Sequence, residues 1–380
     1  MTAGSAPVPR GRRKRVLLLT SHPIDARDGA DKELSIAIAT RVPNVEFTWF
    51  GRVSMRGREP LSAGRRVPLL STSGMPGPLE RAQAAAWALA LERRVDLLHA
   101  VLTIGPGFGR FTRLRERLKG LRHRPAVHTV PAVADPAALT RAVPLGTTVA
   151  LSRPTQQVLR EAGFPDVRLI PPGVDLERWS ARPRPCEAVP VVAFAGHYDP
   201  GGGLEESIAA LATVAAAGRK VSTLFLMRPR PGQDEALEAE RLRQRAQSAG
   251  LTEVRVQGRT PDMPTAIAGV DVLLLPARHL HGKADVPLTV LQAMATRRPV
   301  VVSDLQQMVA LGSAATRVPA GDVPALADAI GGLLERPGHW EAMAAAGLDL
   351  VQREFSAASM ATRYAELYAE LLEGTPAGTR

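Results

Sequence analysis

The chain has 380 residues, 45% of them hydrophobic, 22% charged and 4% aromatic, with a net charge of +11. That length exceeds what one hydrophobic core ordinarily serves, so two domains are expected, and the scarcity of aromatic rings argues against a protein that reads nucleic acid by stacking bases. One cysteine, Cys186, excludes an intrachain disulfide and completes no metal-ligand spacing, so no metal site is expected. The charge is uneven: residues 1–178 carry +13 and the remainder −2. A basic first half suits an anionic partner such as phospholipid headgroups, a lipid phosphate or an acidic glycan; an arginine-rich composition with no partner behind it gives the same count.

Residues 1–15 read as a disordered basic tail. The apolar run VLLLT that follows is too short for a signal h-region or a membrane span, so no export is indicated and a cytoplasmic protein is expected, with the inner membrane face as a peripheral location. From there short apolar runs alternate with helix-length segments, the pattern of an α/β protein with parallel sheets. Strands are expected at 16–20, 45–50, 96–101, 126–130 and 147–151, within a first Rossmann-like domain over 16–178. A linker at 179–189, rich in proline, leads to a second domain over 190–354, with strands at 191–195, 221–227, 254–257, 272–275 and 300–302. Residues 355–372 place Met360, Tyr364, Leu367, Tyr368 and Leu371 at helical spacing, and 373–380 form a second tail. Between Phe108 and Arg124, an apolar stripe of Phe108, Phe111, Leu114, Leu118 and Leu121 is surrounded by arginines. It suits a membrane surface, or the more common packing of a helix onto its own sheet.

Three segments carry a resemblance: ALSRPTQQVLREAGFPDVRLIPPGVDLERW, then VVAFAGHYDP, then LPARHLHGKADVPLTVLQAMATRRPVVVSD. Together they resemble family 4 glycosyltransferases. The resemblance implies a GT-B fold, with two Rossmann-like domains whose parallel sheets face each other across a cleft. It also implies transfer from a nucleotide diphosphate sugar with retention of configuration, no bound metal or other cofactor, and a last helix that crosses back to the first domain.

The donor block supports that reading on its own terms. A helix starting near Pro287 and Leu288 presents unpaired amides and a dipole to an anion, and Lys283 adds a charge. Asp285 is placed to accept from sugar hydroxyls, or else merely to cap the helix, and Gln292 lies two turns in, towards a ribose. Gly196, His197 and Gly202 form a loop where backbone can approach a phosphate, followed by Arg228, then Gly258 and Arg259 where the family contacts the base. On the acceptor side stand the loop with His22 and Gly29 and the one after Thr129. His22, His99 and His128 lie near strand ends, where a structural role is commoner than a catalytic one, and spacing assigns a catalytic residue to none of them.

The departures from the family are specific. Its diphosphate-binding Arg and Lys fall on His197 and Gly202, its paired glutamates on Ala284 and Gln292, and its cleft His on Pro131. Charge stabilisation on the leaving group is the main electrostatic task of such a site, so Arg228, Arg259 and Lys283 are the candidate replacements. A catalytically degenerate binding or scaffold subunit is the alternative that these losses raise. The sequence identifies neither the acceptor nor the sugar.

Overall fold

The computed structural model describes residues 12–24, 27, 29–55, 60–61, 64–70, 77–105, 107–117, 124–134, 136–185, 188–230, 232–260, 262–280 and 285–373. The first unit runs β1 (Lys14–Thr20), α1 (Ala30–Arg41), β2 (Val45–Arg52), β3 (Arg65–Leu69), α2 (Pro78–Leu91), β4 (Leu97–Val101), α3 (Phe108–Arg117), β5 (Ala126–Val130), α4 (Pro136–Leu139), β6 (Thr147–Ala150), α5 (Arg153–Glu161) and β7 (Val167–Leu169). Its seven strands lie in the order β3-β2-β1-β4-β5-β6-β7, all parallel. The second unit runs β8 (Val191–His197), α6 (Leu204–Ala216), β9 (Ser222–Arg228), α7 (Glu235–Ser248), β10 (Val254–Gln257), α8 (Met263–Ala268), β11 (Val272–Leu275), α9 (Leu288–Ala295), β12 (Val300–Ser303), β13 (Thr316–Val318), α10 (Val323–Glu335) and α11 (Pro337–Glu354). Its sheet, also parallel throughout, has the order β10-β9-β8-β11-β12-β13.

Helices cover both faces of each sheet, so the central strands β4, β5, β6 and β12 are buried at every residue, which is why they read as unbroken apolar runs. All ten expected strands are present. Three more, β3, β7 and β13, were not legible, and each is the outermost strand of its sheet. Paired on one side only, they are short and half polar, and β3 contains Pro68, a residue that a central strand would not tolerate.

The chain returns to the first unit through α12 (Ala357–Glu373). The outgoing and returning segments lie side by side: Val174 N–H donates to Phe355 O at 2.7 Å, and Ala357 N–H to Val174 O at 2.9 Å. A Cβ on Gly173 would stand 2.6 Å from Ala357 Cα and 2.9 Å from its nitrogen, so the glycine of the PPGVD segment is what permits this approach. Downstream, the extended chain is held to the second unit. Arg298 donates to Pro183 O at 2.7 Å, and Arg184 pairs with Asp271 at 3.0 Å while lying 4.8 Å over the Trp340 ring.

Helix α12 buries Met360, Tyr364, Leu367 and Tyr368, one face at three- and four-residue spacing. Two of these carry hydroxyls into a buried polar chain. Tyr368 Oη lies 2.5 Å from His99 Nδ1, His99 Nε2 lies 2.8 Å from Thr129 Oγ1, and Thr129 Oγ1 lies 2.8 Å from Tyr364 Oη. The sheet of the first unit thus reserves polar positions on β4 and β5 for a helix at the far end of the chain.

Candidate functional site

In an open parallel sheet, the crevice outside the carboxyl ends of the strands at the point where strand order reverses is the natural ligand position. Both sheets have such a point, between β1 and β4 and between β8 and β11. The residues singled out from the sequence cluster at these ends.

After β8 the chain makes a tight glycine turn. Gly202 N–H donates to Asp199 O at 3.1 Å, and its Cβ position lies 2.6 Å from Asp199 Oδ1, a carboxylate that pairs through Oδ2 with Arg230 at 2.8 Å. The amide of Gly202 is therefore used within the turn. Gly203 has φ +89° and a Cβ position 2.4 Å from Pro276 O, so the turn packs directly on the segment after β11. Gly196, inside β8, has its Cβ position 2.7 Å from the Phe194 ring. His197 Nδ1 lies 2.9 Å from Arg228 O; burial, together with the charges of Arg230 and Arg228, holds its pKa below the ordinary histidine value. Past β10, Glu235 Oε1 accepts from Arg259 N–H at 2.9 Å and fills the space beside Gly258, which fixes that loop.

Pro287 is the N-cap of α9, and Leu288 and Thr289 open the helix, where amides lack intrahelical acceptors. Leu288 and Gln292 are buried on one face and line a small pocket with Arg27, Glu33, Gly173 and Trp179, between the two units. Lys283 and Ala284 lie outside the described residues. The capping alternative for Asp285 is corrected. It does not cap α9; its Oδ1 accepts from Thr155 Oγ1 at 2.7 Å, at the start of α5 in the first unit. Its own N–H donates to Pro131 O at 2.9 Å. Burial raises its pKa, against hydrogen bonding from Ser152 and Thr155 that favours the ionised form. Asp285 joins the two units, a direction hidden in the sequence because its partner is 130 positions away.

On the facing side, Gly29 precedes α1. Its Cβ position is 2.9 Å from Asp31 Oδ1 and 3.5 Å from Nη1 of Arg228, so an arginine of the second unit reaches across to the first where a glycine leaves room. His22 Nδ1 lies 2.7 Å from Asp31 Oδ2. Burial works to raise the Asp31 pKa, but the hydrogen bond and charge of His22, with Lys32, outweigh it and hold the carboxyl below its ordinary value. Asp31 was missed in the sequence, since no local spacing pairs it with His22. The expectation for Thr129 is also corrected: it is fully buried, and its hydroxyl is shared by His99 and Tyr364, so the fold occupies it. His99 and His128 are structural. Burial lowers them to about 3 and about 4, with the neighbouring His128 adding to the effect at His99, and His128 stacks on Phe108 at 4.6 Å.

That stack decides how α3 uses its stripe. Phe108 is buried and Phe111 packs on the same core, while Leu114 is exposed; Leu118 and Leu121 lie outside the described residues. The helix packs its first apolar turns onto its own sheet. Among the described residues no helix is long and apolar enough to cross a membrane.

Residues 189–336 match the family model described as Glycosyl transferases group 1. The phosphatidyl-myo-inositol mannosyltransferase of Mycobacterium leprae (strain TN) is 32% identical over 214 residues, which cover 54% of this chain and 54% of that protein. The match thus spans about half the length of that relative. In fold, the chain is similar to sucrose-phosphate synthase from Thermosynechococcus elongatus, with a TM-score of 0.76 and 18% identity over 96% of this chain and 100% of that one. It is similar as well to Anabaena HepE, solved with UDP and glucose, with a TM-score of 0.74 and 17% identity over 94% and 100%. A Rickettsia africae ESF-5 glycosyltransferase gives 0.75 at 14% identity over 96% and 100%. These matches bear out the resemblance to family 4 glycosyltransferases and the GT-B architecture it implies.

Proposed function

We propose that the chain is a glycosyltransferase that moves a sugar from a nucleotide diphosphate sugar to an acceptor hydroxyl, with retention of configuration and without a metal. The observation that carries the reading is the approach of Arg228, at the carboxyl end of β9, to Gly29 after β1, which sets a guanidinium across the crevice between the units. A planar, permanently charged fork suits a diphosphate. The Leu288 and Thr289 amides, at the positive end of α9, add partial charge to the same task. Gln292 offers a ribose hydroxyl a neutral hydrogen bond, weaker than the carboxylate the family uses there. The named complexes of HepE with UDP and with UDP-glucose support a nucleotide-sugar donor class.

In the reaction, the acceptor oxygen attacks the anomeric carbon on the face that the phosphate leaves. The bond from that carbon to the phosphate oxygen breaks with its electron pair on the oxygen, which also takes the acceptor's proton. Arg228 stabilises the charge as it grows on the departing diphosphate. Removing one such contact costs on the order of 3 kcal/mol. Calorimetric titration with UDP- and GDP-sugars, followed by turnover assays, is the test: Arg228→Ala should weaken turnover about a hundredfold. Binding to none of the sugars by the native protein would end the reading.

The degenerate alternative, a binding or scaffold subunit without turnover, is favoured by one observation: one carboxylate oxygen of Asp285 is already taken up by Thr155 of the other unit. Sugar-nucleotide binding with no hydrolysis or transfer, unchanged in Gln292→Glu, would favour it. A peripheral contact with an anionic membrane face on the cytoplasmic side belongs to the same proposal. Its support is the +13 charge of residues 1–178, with Leu79 and Trp87 of α2 exposed on that unit. Sedimentation with anionic liposomes that is indifferent to salt and lipid charge would remove it.

A further inference from the structure

At the carboxyl end of β5 the Pro131 carbonyl is engaged by the Asp285 N–H. The other described histidines of the first unit are accounted for: His99 and His128 are fully buried and hydrogen-bonded inside it. His22 differs. Its side chain is 29% exposed, it follows the carboxyl end of β1, and its Asp31 partner lies beside the glycine that Arg228 approaches from the second unit.

We infer that His22, oriented by Asp31, is the imidazole of this cleft and that its Nε2 holds a hydroxyl of a sugar substrate. The inference rests on the glycosyltransferase reading above.

The dyad is built into the fold on both sides. Ser21 N–H donates to Val101 O at 3.2 Å, Thr20 Oγ1 donates to His22 O at 2.5 Å, and Ile24 N–H donates to Phe50 O at 2.9 Å, so the turn bearing the ring is tied to β4 and β2. Asp31 sits in the first turn of α1, where Ser35 Oγ donates to its carbonyl at 2.7 Å. With Nδ1 committed to the carboxylate, Nε2 is the free end of the ring. It accepts from a hydroxyl when the ring is neutral and donates to one when it is protonated, so a hydroxyl satisfies it in either state. A carboxylate that fixes one imidazole nitrogen while the other meets the substrate is a positioning device, with Asp31 acting through His22.

The hydroxyl belongs either to the donor sugar or to the acceptor. Titration of UDP, UDP-glucose, GDP and GDP-mannose into native protein, His22→Ala and His22→Gln separates the two, together with kcat and KM for hydrolysis and for transfer to added sugars. If the donor sugar is held, His22→Ala loses about tenfold of the advantage of the sugar nucleotide over the bare nucleotide, while UDP or GDP binds as before. If the acceptor is held, donor binding is unchanged and KM for the acceptor rises about tenfold. In both cases His22→Gln retains most of the function, and Asp31→Asn gives a smaller loss that is absent in the His22→Ala background. Native-like donor binding and native-like kcat and KM in His22→Ala would overturn the inference alone. A native protein that binds no sugar nucleotide would overturn it together with the reading on which it rests.

Discussion

Lowering the pH should destabilise the fold, and His99, buried beneath the C-terminal helix, supplies a measurable share of the effect. The imidazole is fully buried between Thr129 and Tyr368, and burial lowers its pKa from 6.5 to about 3. A histidine whose folded value is depressed binds fewer protons when folded than when unfolded. Its contribution is therefore intact above about pH 6.5 and is lost as the pH falls from there towards about 3. Between pH 6 and pH 5 the unfolded chain holds about 0.9 proton more than the folded chain at this site, which lowers stability by about 1.2 kcal/mol. His128, lowered to about 4, adds a similar amount over the same interval. In His99→Gln an amide replaces the ring, keeps a donor and an acceptor for Tyr368 and Thr129, and does not titrate. Urea unfolding followed by circular dichroism at pH 6.0, 5.5 and 5.0 should show the native protein losing about 1.2 kcal/mol more than the variant across that range. Equal losses in both proteins would refute the account of a neutral, buried His99.

Other consequences follow from close approaches and buried contacts. Gly173→Ala should destabilise the protein by about 1–3 kcal/mol in denaturant titrations, because the methyl group meets the backbone of Ala357, which has no side chain to move aside. Thr155→Val should cost about 2 kcal/mol by removing the donor to a buried carboxylate, and the Thr155→Val/Asp285→Asn pair should recover part of it. Gly203→Ala, at φ +89° and against Pro276 O, should lower the melting temperature and weaken sugar-nucleotide binding together, as both depend on the glycine turn.

The α/β class was legible because sheets covered on both faces need unbroken apolar strands, and the interior strands have them. Three of the four outer strands, β3, β7 and β13, escape a reading that looks for that signature, since an edge is only half buried; Arg168 of β7 is exposed and paired to Asp166 and Glu370. The site was less legible, for a different reason. Glycines and histidines near strand ends mark where a ligand can sit, but not where each side chain turns. Nothing near Asp285 in the sequence shows that Thr155 is its partner, and Thr129 reads as a cleft residue until Tyr364 arrives. His22 and Asp31 stand nine positions apart, and only the fold makes them partners.

The hydroxyls that complete the polar chain inside the first unit are made very late. Tyr364 follows Thr129 by 235 positions, and Tyr368 follows His99 by 269. As the chain leaves the ribosome, the first sheet can form while its His99 and Thr129 still await their partners, and the second unit must be synthesised in between. A first unit made ahead of that helix leaves this face of its sheet uncovered. The final helix closes that face, so the oldest part of the molecule is the last to become native.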